Sequence, residues 1–140
     1  MTNFSTTVDI QAPRERVWDV LLDVTRWPEW TPTTSRVERL DAGPFTVGSR
    51  ARIFQPKLRP AVWQVTELNQ AAGSFTWVTR SAGLLVTARH RVEENGGGCR
   101  VTLSLDFSGV LAWLAARTAG GMMERYIAAE ANGLRARSEA

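Results

Sequence analysis

One cysteine, one histidine, one lysine and one tyrosine occur in 140 residues. Each scarcity removes a class of protein. A lone Cys99 makes no disulfide within the chain. A lone His90 and a lone Cys99 fall short of the three or four ligands that a metal site needs at defined spacing, so no metal is expected. A Ser-His-Asp triad must use His90, yet no Gly-x-Ser-x-Gly elbow exists. Cys99 flanks the same hairpin as His90, but at a strand end it reads as a small apolar filler rather than a nucleophile. Long apolar runs are missing too. The longest, Val110 to Ala116, is far too short to span a bilayer, so no integral membrane contact is expected. The first residues, Met1 to Thr6, lack the basic and apolar regions of a signal peptide. A cytoplasmic location is expected.

Charge is nearly balanced. Seventeen basic residues face fourteen acids, for a net charge of +3, and every basic residue except Lys57 is Arg. The basic residues are spread along the chain among the acids. Nucleic-acid binding needs them clustered on one surface beside aromatic platforms, so no nucleic-acid partner is expected. Gly96-Gly97-Gly98 does not open a helix, as a phosphate cradle would; it reads as a hairpin turn.

What remains is rich in hydrophobic patterning. The hydrophobic fraction is 44%, with six Trp and five Phe, enough for one real core in a chain of this length. Phe4 to Ile10 alternates with period 2 and reads as a strand. Ala12-Pro13 opens a helix whose apolar stripe is Val17, Val20, Leu21 and Val24. Pro28 stops that helix, leaving Thr25 to Pro32 as a short second helix or turn. Six strand patterns follow: Ser35–Leu40, Ser49–Gln55, Ala61–Leu68, Ser74–Arg80, Leu84–Glu93 and Cys99–Ser108. Their short, turn-rich connections imply consecutive antiparallel hairpins. From Val110 to about Arg137 the pattern is helical, with Leu111, Leu114 and Ala115 leading into Ala119, Met122, Met123, Tyr126, Ile127, Glu130 and Leu134. Gly120-Gly121 interrupts it. Either the helix kinks there, or it passes close to the sheet or a ligand. Ala136 to Ala140 reads as a disordered tail.

Strand alternation sorts side chains by face. Val86, Ala88, His90 and Val92 share one face, opposite Arg89 and Arg91, so His90 points inward. Ala51, Ile53 and Gln55 face in, opposite Arg50 and Arg52. Phe75 and Trp77 face in, as do Val101, Leu103, Leu105 and Phe107. Trp63 and Val65 face in as well, although Glu67 breaks the alternation of that strand. The expected ligand-lining set is Ile53, Gln55, Trp63, Val65, Phe75, Trp77, Ala88, His90, Leu103, Met122, Met123 and Tyr126. Large aromatics around a concave apolar space, with few polar groups, are what small-ligand pockets use. Trp27 and Trp30 read as anchors of the short helix on the sheet, or as a cover over the cavity mouth. Arg117, Arg125 and Glu130 read as a solvated helix face, with the cavity rim as the alternative place for one of them. Two roles stay open for His90: a buried His satisfied by Tyr126, Gln55 or water, or a polar contact to ligand that also titrates near neutral pH.

Several short motifs, in order, resemble the START-like superfamily (SRPBCC, helix-grip fold), and in particular its polyketide cyclase/dehydrase and lipid-transport-like branch. They are Ile10-x-Ala12-Pro13-x-x-x-Val17-Trp18, Arg26-Trp27-Pro28-Glu29-Trp30, Val47-Gly48-Ser49, Trp63-x-Val65, Phe75-x-Trp77 and Ala88-Arg89-His90-Arg91-Val92. The resemblance covers the whole chain. It implies an α+β fold: one START-like domain over residues 1–140, with a seven-stranded antiparallel sheet wrapped around a long C-terminal helix and a ligand cavity between them. Superfamily members include lipid carriers, hormone receptors, cyclases and co-chaperones, and fold alone does not choose among them. The expected partner is a small hydrophobic molecule: a polyketide, lipid, isoprenoid or aromatic metabolite. No cofactor is implied, and the chain is expected to be a monomer or homodimer. The alternatives are a polyketide cyclase/aromatase with His90 and Tyr126 as proton shuttles, and an interaction module of the co-chaperone type.

Overall fold

The computed structural model describes residues 2–140; Met1 lies outside them. The chain runs β1 (Thr2–Ile10), α1 (Arg14–Leu22), a short 3-10 helix (Val24–Glu29), β2 (Arg36–Arg39), β3 (Arg50–Phe54), β4 (Ala61–Asn69), β5 (Ser74–Ser81), β6 (Leu84–Asn95), β7 (Gly98–Ser108) and α2 (Ala112–Glu139). The strands form one sheet in the order β1-β7-β6-β5-β4-β3-β2. Every neighbouring pair is antiparallel, as the short turns require. The two short helices carry the chain from one sheet edge to the other. α2 packs over β1, β7 and β6, and α1 touches both α2 and β6. This is the helix-grip arrangement.

The faces follow the expected alternation. Val101, Leu103, Leu105 and Phe107 are buried, as are Ala88, His90 and Val92, while Arg89 and Arg91 are exposed. Glu67 has a simple explanation. The register steps from Val65 opposite Trp77 to Glu67 opposite Thr76, so Thr66 is an extra residue in a β-bulge. Two consecutive residues, Thr66 and Glu67, then both face solvent, as a bulge allows.

Three features of α2 depart from expectation. First, it begins at Ala112, and Leu111 and Leu114, expected on its buried stripe, are exposed. The face packed on the fold is Ala112, Gly120, Ile127, Ala131 and Leu134; small residues let the helix approach the sheet. Second, it runs through Gly120-Gly121 as one helix. A Cβ on Gly120 would lie 3.0 Å from the Phe4 ring of β1, so close approach, not a break, is what that glycine serves. Third, Ala136 to Ala140 is not a disordered tail. The helix continues to Glu139, and Ser138 is buried. The Arg16 guanidinium donates to the carbonyls of Ser138 (2.5 Å) and Ala140 (2.8 Å). The Gln11 N–H donates to Glu139 Oε2 at 2.7 Å. A helix end leaves carbonyls without partners, and here an arginine from α1 satisfies them.

Candidate functional site

An aromatic cluster centred on Trp77 lies on the inner face of the sheet. Trp77 is 3% exposed. Around it stand Trp27 at 5.4 Å, Phe75 at 5.6 Å, Trp63 at 5.7 Å and Phe45 at 5.8 Å between ring centroids. Most meet edge to face, a favoured geometry for aromatic pairs. Trp27 comes from the 3-10 helix, and its indole N–H donates to the Leu21 carbonyl at 3.0 Å. Trp27 thus takes both places the sequence leaves open for it, anchor of the short helix and part of the cavity wall.

His90 sits beside this cluster, 4% exposed. Its ring stacks on Phe75, with centroids 4.0 Å apart and planes 5° apart. Its Nδ1 lies 3.3 Å from the Phe75 carbonyl oxygen. A carbonyl only accepts, so Nδ1 carries the proton and Nε2 keeps its lone pair. Burial lowers the His90 pKa to about 4, against a smaller opposing effect of the Phe75 carbonyl. At neutral pH the ring is therefore uncharged, with a free acceptor nitrogen.

Between the sheet and α2 a cavity of about 60 Å³ remains. Of the residues expected to line a ligand site, Ile53, Gln55, Trp63, Trp77, Ala88, His90, Met123 and Tyr126 line it. The other four do not. Val65, Phe75 and Leu103 are fully buried core side chains. Phe75 supports the site through its stack on His90. Met122 is half-buried and does not line the cavity, whereas its neighbour Met123 does. Trp27, Thr33, Thr34, Leu105, Ile127 and Glu130 complete the wall. Leu105 and Ile127 were legible as inward positions of their elements. Thr33 and Thr34 lie in an irregular segment with no period to read.

Of the two places the sequence leaves open for Glu130, a solvated face or the cavity rim, the structure takes one nearer the second: Glu130 is half-buried on the cavity wall, and burial raises its pKa to about 7. The signal was present: Met123, Ile127 and Glu130 follow at helical spacing. Tyr126 differs from expectation. Its hydroxyl donates to the Pro56 carbonyl, so it ties α2 to the β3–β4 loop and does not satisfy His90. Cys99 is buried in the core, and burial raises its thiol pKa, which disfavours the reactive thiolate. Among the described residues, no three His, Cys, Asp or Glu side chains converge as a metal site.

A helix-grip fold with an apolar, aromatic-walled cavity defines the class. The chain matches the polyketide cyclase/dehydrase and lipid transport family over residues 1–139, and belongs to it. Solved structures share the fold at low identity. Protein jhp0584 from Helicobacter pylori has a TM-score of 0.85 at 18% identity, covering 98% of this chain and 88% of that one. The ZhuI aromatase/cyclase from Streptomyces sp. R1128 has a TM-score of 0.81 at 20% identity, covering 99% and 93%. The di-domain aromatase/cyclase BexL has a TM-score of 0.73 at 19% identity, covering 97% of this chain and 46% of that one. Among curated proteins, none matches this sequence.

Proposed function

We propose that this protein binds a small, flat, apolar molecule bearing a hydroxyl or carbonyl group, in the cavity between the sheet and α2. The carrying observation is the wall itself: Trp27, Trp63 and Trp77 on the apolar side, with His90 and Glu130 on the same cavity. Aromatic faces supply non-directional affinity, and a few placed polar groups fix orientation. A neutral His90 accepts from a ligand hydroxyl through Nε2, and a protonated Glu130 donates to a carbonyl.

Size constrains the ligand state. About 60 Å³ is below the roughly 150 Å³ that holds benzene in an engineered apolar cavity. A polycyclic ligand therefore enters only if α2 or the 3-10 helix moves outward. Met123 is suited to that, since its side chain repacks at low cost.

A second reading is favoured by the pairing of His90 with Glu130. Glu130, with a pKa near 7, is matched to proton transfer at neutral pH, while the neutral His90 beside it accepts a hydrogen bond that holds a reacting group in place. Such a pair suits cofactor-independent aldol closure and dehydration of a poly-β-ketone. The Glu130 carboxylate takes a proton from the carbon between two carbonyls, the enolate carbon attacks a second carbonyl, and Glu130 returns the proton to the alkoxide; it then takes the second proton from the same carbon and passes it to the hydroxyl, which leaves as water as the double bond forms. Positioning supplies most of the remaining rate.

The test is native mass spectrometry of the purified protein, with extraction of any retained molecule, followed by turnover assays with a poly-β-ketone mimic. Retention of an aromatic or apolar compound without turnover supports binding alone. Turnover that falls by about 10²–10⁴-fold in both His90→Gln and Glu130→Gln supports the enzyme. A protein that retains nothing and binds no apolar dye overturns both.

A further inference from the structure

The described residues expose six large hydrophobic side chains, and four of them fall within five positions: Val110 (79% exposed), Leu111 (43%), Trp113 (64%) and Leu114 (41%). These residues join β7 to α2. Scattered exposed apolar residues need no explanation, but a contiguous cluster marks an interaction site. The cluster is held in place. The Leu111 N–H donates to the Gly83 carbonyl at 2.8 Å, so the β5–β6 turn and the start of α2 form one protrusion.

The unpaired charges around it are mostly positive. Antiparallel pairing brings Ser81 opposite Leu84, Leu85 opposite Ser108 and Ile53 opposite Ala61. The β3–β4 loop, the β5–β6 turn and the β7–α2 junction therefore share one end of the sheet. Residues 55–61, 79–88 and 107–123 contain Lys57, Arg59, Arg80 and Arg117 and no acid. All four are exposed, and none enters an ion pair among the described residues. Of the acids nearby, Asp106 pairs with Arg89 and Glu38 with Arg36 and Arg52; Glu124, exposed farther along α2, is the one left against the four cations.

We propose that this end of the molecule docks peripherally on an anionic lipid bilayer. Trp113 and its apolar neighbours enter the interfacial region, and the four basic residues meet the lipid phosphates. A tryptophan with aliphatic neighbours favours that depth, and binding of this kind combines buried apolar area with attraction to anionic lipid. A basic rim matches a lipid surface and opposes a second copy of this chain, which presents the same charges. The docking end adjoins the cavity. Tyr126 lines the cavity and bonds the Pro56 carbonyl in the loop that carries Lys57 and Arg59. An apolar molecule leaving the bilayer there meets the cavity wall.

Co-sedimentation with vesicles tests this, using phosphatidylcholine alone and phosphatidylcholine mixed with phosphatidylglycerol. The wild type is expected to bind the anionic vesicles and to release as salt rises. The double variant Trp113→Ser/Leu114→Ser is expected to lose at least about tenfold in affinity. Charge removal in Lys57→Gln/Arg80→Gln should cost about fivefold per charge on anionic vesicles only. All these side chains are exposed, so circular dichroism melts should be unchanged, and dye binding in the cavity should survive and separate this proposal from the cavity reading. Absence of wild-type binding to anionic vesicles overturns the proposal. Equal binding by the Trp113→Ser/Leu114→Ser variant does so too. A wild-type dimer that the same variant turns into a monomer also overturns it, in favour of self-association.

Discussion

His90 and Glu130 respond to the same low-polarity cavity in opposite directions. Burial disfavours charge on either group, so the histidine pKa falls to about 4 and the glutamate pKa rises to about 7. Each shift is a stability statement. The neutral His90 contributes stability that is complete above the unfolded pKa of about 6.5 and lost as pH falls through about 4. The neutral Glu130 contributes stability that is complete below about 4.5 and lost as pH rises through about 7. Between 4.5 and 6.5 the two slopes oppose, and the wild type should be nearly flat. Asp9, lowered chiefly by its Arg100 hydrogen bond, and Asp41, lowered chiefly by the Arg50 N–H, lose their stabilising effect only below 3.8. Glu130→Gln leaves His90 alone, and stability should climb from pH 4 to 6.5. His90→Gln leaves Glu130 alone, and stability should fall from pH 4.5 to 7. Urea denaturation across that range measures both, and three parallel curves would contradict the assignment.

At the scale of the element, α2 carries the clearest contrasts. Gly121 and Gly133 both lower intrinsic helix propensity, yet their surroundings differ. A Cβ on Gly121 meets only Arg125 at 3.5 Å, an ordinary contact with a flexible side chain. A Cβ on Gly133 would lie 2.0 Å from the Trp30 carbonyl oxygen, which is backbone and cannot swing away. Gly121→Ala should therefore stabilise by up to about 1 kcal/mol. Gly133→Ala should destabilise by about 1–3 kcal/mol or more, as overpacking does, by pushing the 3-10 helix off α2. Thermal melts of the two variants should shift in opposite directions. Arg16→Ala removes the hydrogen bonds to the last α2 carbonyls. At about 1 kcal/mol for each, it should lower stability by about 1–2 kcal/mol and speed amide exchange in the last turn; an unchanged exchange pattern would remove Arg16 from the cap.

For the whole molecule, the order of the sheet sets how fast it assembles. β2 to β7 pair in sequence, but β1 pairs with β7 from Thr2 opposite Phe107 to Ile10 opposite Cys99. Closing that pair joins residues about a hundred positions apart. Topologies dominated by such distant pairings fold in roughly milliseconds to seconds. Stopped-flow refolding followed by tryptophan fluorescence should show that timescale, and Val8→Ala should mainly speed unfolding if β1 docks after the meander forms. Sub-millisecond refolding would argue that β1 is not required for the folding barrier. No helix among the described residues is long and apolar enough to cross a membrane.

The sequence by itself determined the order of elements, the antiparallel meander and the inward face of each strand. Those follow from local rules: period 2 in strands, turn residues between them, and charge that must stay in water. Trp77 and His90 were legible as inward for that reason, since Arg80, Arg89 and Arg91 had to face out. What lay beyond the sequence depended on which surfaces meet. Phe75, Val65 and Leu103 share the inward face with Trp77, yet packing against other side chains closes over them and leaves the cavity elsewhere. Glu130 keeps helical spacing with Met123 and Ile127 but carries a charge that prefers water, and the docking of α2 over the sheet decides between the two signals. The Tyr126 hydroxyl found the Pro56 carbonyl rather than His90 because the β3–β4 loop comes back to α2 in three dimensions. The fate of 136–140 was decided by Arg16, more than a hundred residues earlier in the chain. Local chemistry chooses the face a residue prefers; only tertiary packing decides what that face meets.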